Sequence, residues 1–413
     1  MKHLIKNITL NGKITDVLIT KNRFAKIAPT ISDPDAKIID GTNQAIIPSF
    51  VNMHTHAAMT LLRGYADDLA LHDWLQNHIW PLEAKMDEEA IYHGTRLACL
   101  EMIKSGTTCF NDMYWFFHGT ARAVEEMGLR ATLSSVFIDF NDEQQAKKQQ
   151  AETERLFQEA STYSDRIQFA LGPHAIYTVS ENSLLWIATF SKQHNIPIHI
   201  HLSETQKEVD DCIKQHNMRP VEWLEKIGFL SDRILAAHTI HLSNNEIDLL
   251  AKHHVQVIFN PASHMKLASG SFPYARLKEA GVPILLGTDG CASNNNLDLL
   301  EEMKLAALQV KHTHQDPTLL SASEVLEMVT TSATKALHIP AGKIEEGALA
   351  DCLLIDLNNH RLCPGYHLES DLVYSADSSC IHTVFCNGKI LMKNRIIPNE
   401  SEILTAVRTI KFH

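Results

Sequence analysis

Residues 48–59 read PSFVNMHTHAAM, an apolar run that ends in two histidines two positions apart. A strand alternates its side chains between two faces, so His54 and His56 are expected to point one way while Met53 and Thr55 point the other. Two imidazoles side by side at a strand end suggest a metal. The stretch is the first of a series. AIIPSFVNMHTH, TTCFNDM, LRATLSSVF, RIQFALGPHAIY, IPIHIHLSE, RILAAHTIHL, VQVIFNPAS and VPILLGTDG are β-type apolar runs between about residues 45 and 340, and helical patterns separate them. Eight strand–helix units predict an α/β fold, a parallel (β/α)8 barrel of TIM type.

The helical segments carry their own signals. DEEAIYHGTRLACLEMIKSG opens on acidic residues and closes on Gly106, and SENSLLWIATFSKQHN opens on a Ser180 cap. Residues 141–160, charged and rich in glutamine, predict an exposed amphipathic helix. The two ends differ in character: residues 1–47 and 343–413 read as short strands with Asn-Gly turns at Asn11-Gly12 and Asn387-Gly388. Both ends are expected to combine into one small β-sandwich beside a catalytic barrel spanning residues 48–342.

A chain of 413 residues can bury a barrel core plus a smaller domain. Its formal net charge of −12 argues against a phosphate backbone as partner, because that binding needs clustered Lys and Arg. A small molecule is the expected ligand. No apolar run is long enough to cross a bilayer, and MKHLIKNITLNGKITDV alternates where a signal peptide would be continuously apolar, so a cytoplasmic protein without a membrane partner is expected. The eight cysteines include no CxxC pair and read as reduced, mostly buried thiols. The 24 histidines are dispersed and have to be read one by one.

In such a barrel catalytic groups stand at the C-terminal ends of the strands. Here the first run ends in His54 and His56, the fourth in His174, the fifth in His201 and Glu204, the sixth in His238 and the eighth in Asp289. One histidine at a strand end is ordinarily a hydrogen-bonded structural residue. The recurrence is not ordinary. Three imidazoles and a carboxylate aimed into one cleft match the ligand set of a catalytic Zn²⁺ or Fe²⁺. In HIHLSE both His199 and His201 lie on one strand face, and geometry does not choose between them.

Seven segments, PSFVNMHTHAAMTLLRG, WPLEAKM, GPHAIYT, IHIHLSET, LAAHTIHLS, FNPASHMKLASG and LGTDGCASNNNLDLLEEM, resemble in order and spacing the amidohydrolase superfamily of metal-dependent barrels. Within it they resemble the 5′-methylthioadenosine/S-adenosylhomocysteine deaminase branch, over nearly the whole chain. The resemblance implies one divalent metal ion, Zn²⁺ with Fe²⁺ or Mn²⁺ as alternatives, held by His54, His56, His201 and Asp289. It selects His201, three residues before the glutamate, and leaves His199 as a barrel-interior histidine. Members with two metals carry a carboxylated lysine at the end of strand four, where this chain reads ALGPHAIYT, so a single metal is implied. The implied reaction is hydrolytic deamination of the adenine ring of a nucleoside by a metal-activated hydroxide, giving the inosine analogue and ammonia. Glu204, His238 and Asp289 would be catalytic, with Glu204 as general acid toward the ring nitrogen. Glu83, Trp74 and His174 would contact the substrate, as would Glu204 and Asp289.

One departure concerns the substrate. Members that accept S-adenosylhomocysteine carry arginines after strand three, whereas FIDFNDEQQAKKQQAETERL begins acidic and offers only Lys147, Lys148 and Arg155. Lysine matches a carboxylate less well than the planar fork of arginine, so 5′-methylthioadenosine or adenosine is favoured. Rival readings are a deaminase of guanine, cytosine or a triazine ring on the same scaffold, or a non-catalytic barrel. The other zinc deaminase fold uses HxE with PCxxC, and neither the CxxC pair nor its flanking proline occurs here. Trp80 reads as a packing anchor, and His253, His254, His312 and His314 as solvated surface; FNPASHMKLASG places Ser263 or Lys266 near the mouth, or equally in loop packing. Cys291 is assigned no role. The apolar surface of barrel helices is compatible with a homo-oligomer.

Overall fold

A computed structural model describes residues 2–69 and 71–410. Eight parallel strands follow one another around a barrel: Phe50–Thr55 (β1), Thr107–Met113 (β2), Arg130–Phe137 (β3), Ile167–Pro173 (β4), Ile198–Leu202 (β5), Ile234–His238 (β6), Gln256–Phe259 (β7) and Ile284–Leu286 (β8). All eight coincide with the apolar runs of the sequence. Strands buried on both faces need no polar alternation, which is why they read as near-continuous apolar stretches. Their outer side chains, such as Phe110, Leu133, Phe169, Ile200 and Phe259, belong to the large core shared with the surrounding helices. Their inner side chains at the lower end, Val51, Met53, Cys109, Leu235, Ile258 and Leu285, pack with Ala333, Ala336 and Leu337. The seam between the end of β8 and β1 closes the ring: Asp289 N–H donates to the His54 carbonyl at 3.0 Å, and Asn52 and Thr288 exchange two hydrogen bonds at 2.7 and 3.1 Å.

The helices form where capping chemistry starts them. Asp87 caps Glu88–Lys104, Asp142 caps Glu143–Ala160 and Ser180 caps Glu181–His194, each side chain accepting from amides of the first turn. The second sheet is made from both ends of the chain. In it Cys352–Asp356 pairs antiparallel with Gln44–Pro48, and Gln44–Pro48 neighbours Lys2–Leu10. Two-residue turns join its hairpins: Asn11 and Gly12 lie at φ 49° and 75°, Asn387 and Gly388 at 51° and 72°. These are the left-handed values an Asn-Gly hairpin turn requires. The buried pair Arg130 Nε–Asp351 Oδ2, at 2.6 Å, ties β3 to this sheet.

Strict alternation fails in two places, and both carry site residues. Between Asn52 and Thr55 of β1 the partner strand β2 advances only from Phe110 to Asp112, so an extra residue is inserted there. Such a bulge re-aims side chains. Met53 therefore packs inside with Val51, and His54 after it also faces the barrel interior, which corrects the simple expectation that Met53 and His54 oppose each other. On β6, Ile234 and Ala236 pack outward, and His238 would share their face; a φ of 73° turns it back over the mouth.

Candidate active site

The bulge, the ends of β5 and β6, and the turn after β8 bring the sequence-selected groups together. Asp289 Oδ1 lies 3.3 Å from both His54 Nε2 and His56 Nε2. His201 Nε2 stands 3.3 Å from His56 Nε2. One donor atom each from His54, His56 and Asp289, and likewise from His54, His201 and His238, lie within 4.8 Å of one another. Glu204 Oε2 is 3.8 Å from His238 Nε2. His174 lines the same cleft, as do Trp74 and Glu83 from the segment after β1.

Each imidazole is turned by a partner on its other nitrogen. His56 Nδ1 donates to the Met113 carbonyl at 2.6 Å and His201 Nδ1 to the His174 carbonyl at 2.8 Å. His54 Nδ1 lies 2.8 Å from His199 Nε2, and His238 Nδ1 lies 3.1 Å from His264 Nε2. Ser263 Oγ donates to Asp289 Oδ2 at 2.7 Å. Partners of this kind fix the tautomer of a metal-binding histidine and the angle of its ring.

The donor set fits a divalent cation. With their Nδ1 protons given to carbonyls, the Nε2 atoms of neutral His56 and His201 present lone pairs to each other. The buried His54 Nε2 makes no hydrogen bond. A cation or a proton has to stand among them, because a buried polar atom left without a partner costs about 1–3 kcal/mol. The field says the same: burial opposes charge on His56, yet Asp289, the Met113 carbonyl and Asp112 overcome it and hold its pKa up at about 9. Burial keeps His201 and His238 neutral, well below the usual imidazole range. Burial also works against ionising Asp289, but His54 and His56 hold it well below the usual carboxylate range. The cluster accepts positive charge through nitrogen and oxygen donors.

Glu204 has the opposite character. Burial, then Asp289 and Glu208, push its carboxyl well above the usual range, which favours the protonated acid. Burial also raises Glu83, against the hydrogen bond it accepts from Tyr114 Oη at 2.6 Å.

Several residues were not singled out from sequence. Ser263 is explained equally by loop packing and His264 draws no reading, but they support Asp289 and His238. Trp80, taken as an anchor, lines the cleft and meets Phe140 edge-on. Asp112, at the end of β2, accepts from the Ala57 amide at 2.7 Å and so fixes the backbone beside His56. Its position at a strand end was the available signal. Of the four histidines read as surface, His254 and His312 are exposed, whereas His253 and His314 are half-buried and His253 pairs with Glu225 at 2.6 Å.

The Amidohydrolase family model matches residues 45–391. The chain belongs to the amidohydrolase family. This amidohydrolase is 49% identical over 369 residues to a 5′-deoxyadenosine deaminase of Methanoregula boonei, covering 89% of this chain and 84% of that one. It is 48% identical over 371 residues to 5-methylthioadenosine/S-adenosylhomocysteine deaminase 1 of Archaeoglobus fulgidus, covering 90% and 87%. A crystal structure of an adenosine deaminase from Xanthomonas campestris with bound zinc superposes with a TM-score of 0.91 at 34% identity, over 95% of this amidohydrolase and 92% of that chain.

Proposed function

We propose that this amidohydrolase deaminates the adenine ring of a nucleoside, with His54, His56, His201 and Asp289 holding one divalent ion. The observation that carries the reading is a pair of opposites in one cleft: His54, His56, His201 and Asp289 with their donor atoms converging, and 3.8 Å from the neighbouring His238 a buried carboxyl, Glu204, that burial pushes toward its protonated form. A divalent ion bound there supplies Lewis acidity that makes water acidic at neutral pH. Zinc is the proposed ion, as in the Xanthomonas structure.

The chain's own groups divide the proton work. Asp289, ionised, and His238, neutral, are in the state that accepts a proton from the attacking water. Glu204 is in the state that gives one to the ring nitrogen next to the amine-bearing carbon, which makes that carbon electrophilic. The proton taken up by Asp289 and His238 passes to the amine, the added hydroxyl returns its proton to Glu204, and ammonia leaves with a ring carbonyl in its place and the ring nitrogen still protonated. Glu83, steadied by Tyr114, is proposed to meet the sugar hydroxyls, with Trp74 as a wall and His174 beside the ring.

For the 5′ end, the cleft wall offers Leu75, Trp80, Val136 and Ile138 and no lysine or arginine. Lys147 pairs with Glu143, and Arg155 with Glu152 and Glu159, on their own helix. Lys148 and Arg155 line a neighbouring cavity that shares Tyr114, Trp115 and Val136 with the cleft. We therefore favour a nucleoside with an uncharged 5′ group, 5′-methylthioadenosine, 5′-deoxyadenosine or adenosine, over S-adenosylhomocysteine. No helix among the described residues is long and apolar enough to cross a membrane, and a cytoplasmic setting is proposed.

Ammonia release, followed with the ultraviolet change from adenine to hypoxanthine, tests the reading across these four nucleosides, guanine, cytosine and an aminotriazine. The expected result is turnover of adenine nucleosides with the highest kcat/KM on the uncharged ones. Turnover confined to a free base overturns the nucleoside reading; a clear preference for S-adenosylhomocysteine overturns the ranking.

A further inference from the structure

Thr205-Gln206-Lys207-Glu208 has the form of a capping box, a helix-opening threonine followed three residues later by a glutamate. Thr205 does cap the helix Gln206–His216, its hydroxyl accepting from the Glu208 amide at 3.2 Å. Glu208 does not complete the box. Its carboxylate reaches past the cap: Oε1 accepts from Ser203 N–H at 2.8 Å and Oε2 from Glu204 N–H at 2.9 Å. No Lys or Arg among the described residues pairs with it, and only 4% of the residue is exposed. A buried acid without a cation is costly, and helix capping alone does not require it.

The two amides belong to an unusual turn. Ser203 is left-handed, at φ 52°, which a non-glycine residue adopts only against resistance. Its carbonyl accepts from Ile240 and His241 N–H, both at 3.0 Å, and the Leu202 carbonyl accepts from Thr239 N–H at 2.9 Å. His238 and Thr239 are themselves left-handed, at 73° and 47°. The turn that carries Glu204 is thus stitched to the turn that carries His238, and Glu208 closes the stitch from below. Across it Glu204 and His238 stand 3.8 Å apart.

We propose that Glu208 is a positioning residue: by accepting from both amides of the Ser203–Glu204 turn, it sets the Glu204 carboxyl opposite His238 for proton transfer. The inference rests on the deaminase reading above. It assigns Glu208 to the turnover step, separate from holding metal or nucleoside.

The test is Glu208→Gln in the full chain, measured on 5′-methylthioadenosine and adenosine together with metal content and Tm. Glutamine keeps the shape but has one acceptor oxygen, so an amide N–H is left facing an NH₂ group. Displacement of a reacting group by about 1 Å costs roughly 100-fold. The expected result is kcat down by about that factor, with metal content and KM as in the wild type. In a Glu204→Gln background the same change should add nothing further, since the two residues act as a unit. A purely structural role would lower Tm and the active fraction but leave kcat per folded, metal-loaded chain intact, and that outcome overturns the inference. So does loss of activity accounted for by loss of metal. Should Glu208→Gln not fold, Glu208→Asp, whose shorter arm cannot bridge both amides, carries the same comparison. A wild-type chain that releases no ammonia from any adenine nucleoside refutes the deaminase reading itself; an active wild type with an equally active variant refutes this inference alone.

Discussion

His56 Nε2 and His201 Nε2 face each other across 3.3 Å, each ring having given its other proton to a main-chain carbonyl. With both rings neutral, two lone pairs so placed repel, and a proton or a metal cation between them removes the repulsion. Chelation should therefore do more than stop ammonia release: it should lower Tm, because a ligand at 100 times its Kd contributes about 2.7 kcal/mol to stability. Calorimetry with and without chelator, followed by re-addition of zinc, measures both effects. A stripped protein with unchanged Tm and unchanged rate would remove the cation from the account.

Glu204→Gln should separate chemistry from metal binding. The amide preserves the shape of a carboxyl that burial holds protonated, but it has no acidic proton to give. General acid catalysis contributes about 10²–10⁴-fold, so kcat should fall by that order while elemental analysis still finds the metal. Near-normal turnover would exclude Glu204 as the acid.

The barrel was legible because its strands are buried on both faces and bounded by Gly, Pro and Asn, so each apolar run announced itself. Site residues at strand ends were legible for the same reason: a histidine or carboxylate interrupting an apolar run is conspicuous. What the sequence did not reveal depends on contacts between distant segments. The bulge that turns His54 inward is a register relation between β1 and β2, and the left-handed backbone at His238 is held by β5. Ser263 and His264 belong to the helix Pro261–Lys266, beyond the end of β7, where polar residues are unremarkable. Their partners Asp289 and His238 lie 26 residues away in either direction.

Gly287 marks how tightly β8 presses on β1. A Cβ there would meet His54 N and Asn260 Oδ1 at 2.7 Å, and His54 Cβ at 2.9 Å. Main-chain atoms cannot swing aside, so Gly287→Ala should push His54 off its position. The expected effect is a loss of metal affinity of about 10–100-fold, the size seen when the support of a ligand is disturbed, with stability lowered by about 1–3 kcal/mol. Metal titration against a competing chelator checks it. An alanine variant with wild-type affinity would show that the seam has slack.

His264 should make the protein acid-sensitive. Burial, reinforced by His54 and His241 against the pull of Asp289, lowers its pKa from 6.5 to about 3 in the folded chain. Unfolded, it titrates at the ordinary value, so above pH 6.5 both states are neutral and it contributes no pH dependence. As pH falls below that, only the unfolded state takes up the proton, and stability is lost progressively until the folded pKa is reached. At pH 5 the linkage amounts to about 2 kcal/mol. His264→Asn removes the titrating group, so its stability, though lower at pH 7.5, should fall less between pH 7.5 and pH 5 than that of the wild type. Denaturant unfolding at the two pH values measures the difference directly; equal losses in both proteins would mean that His264 does not stay neutral in the folded chain.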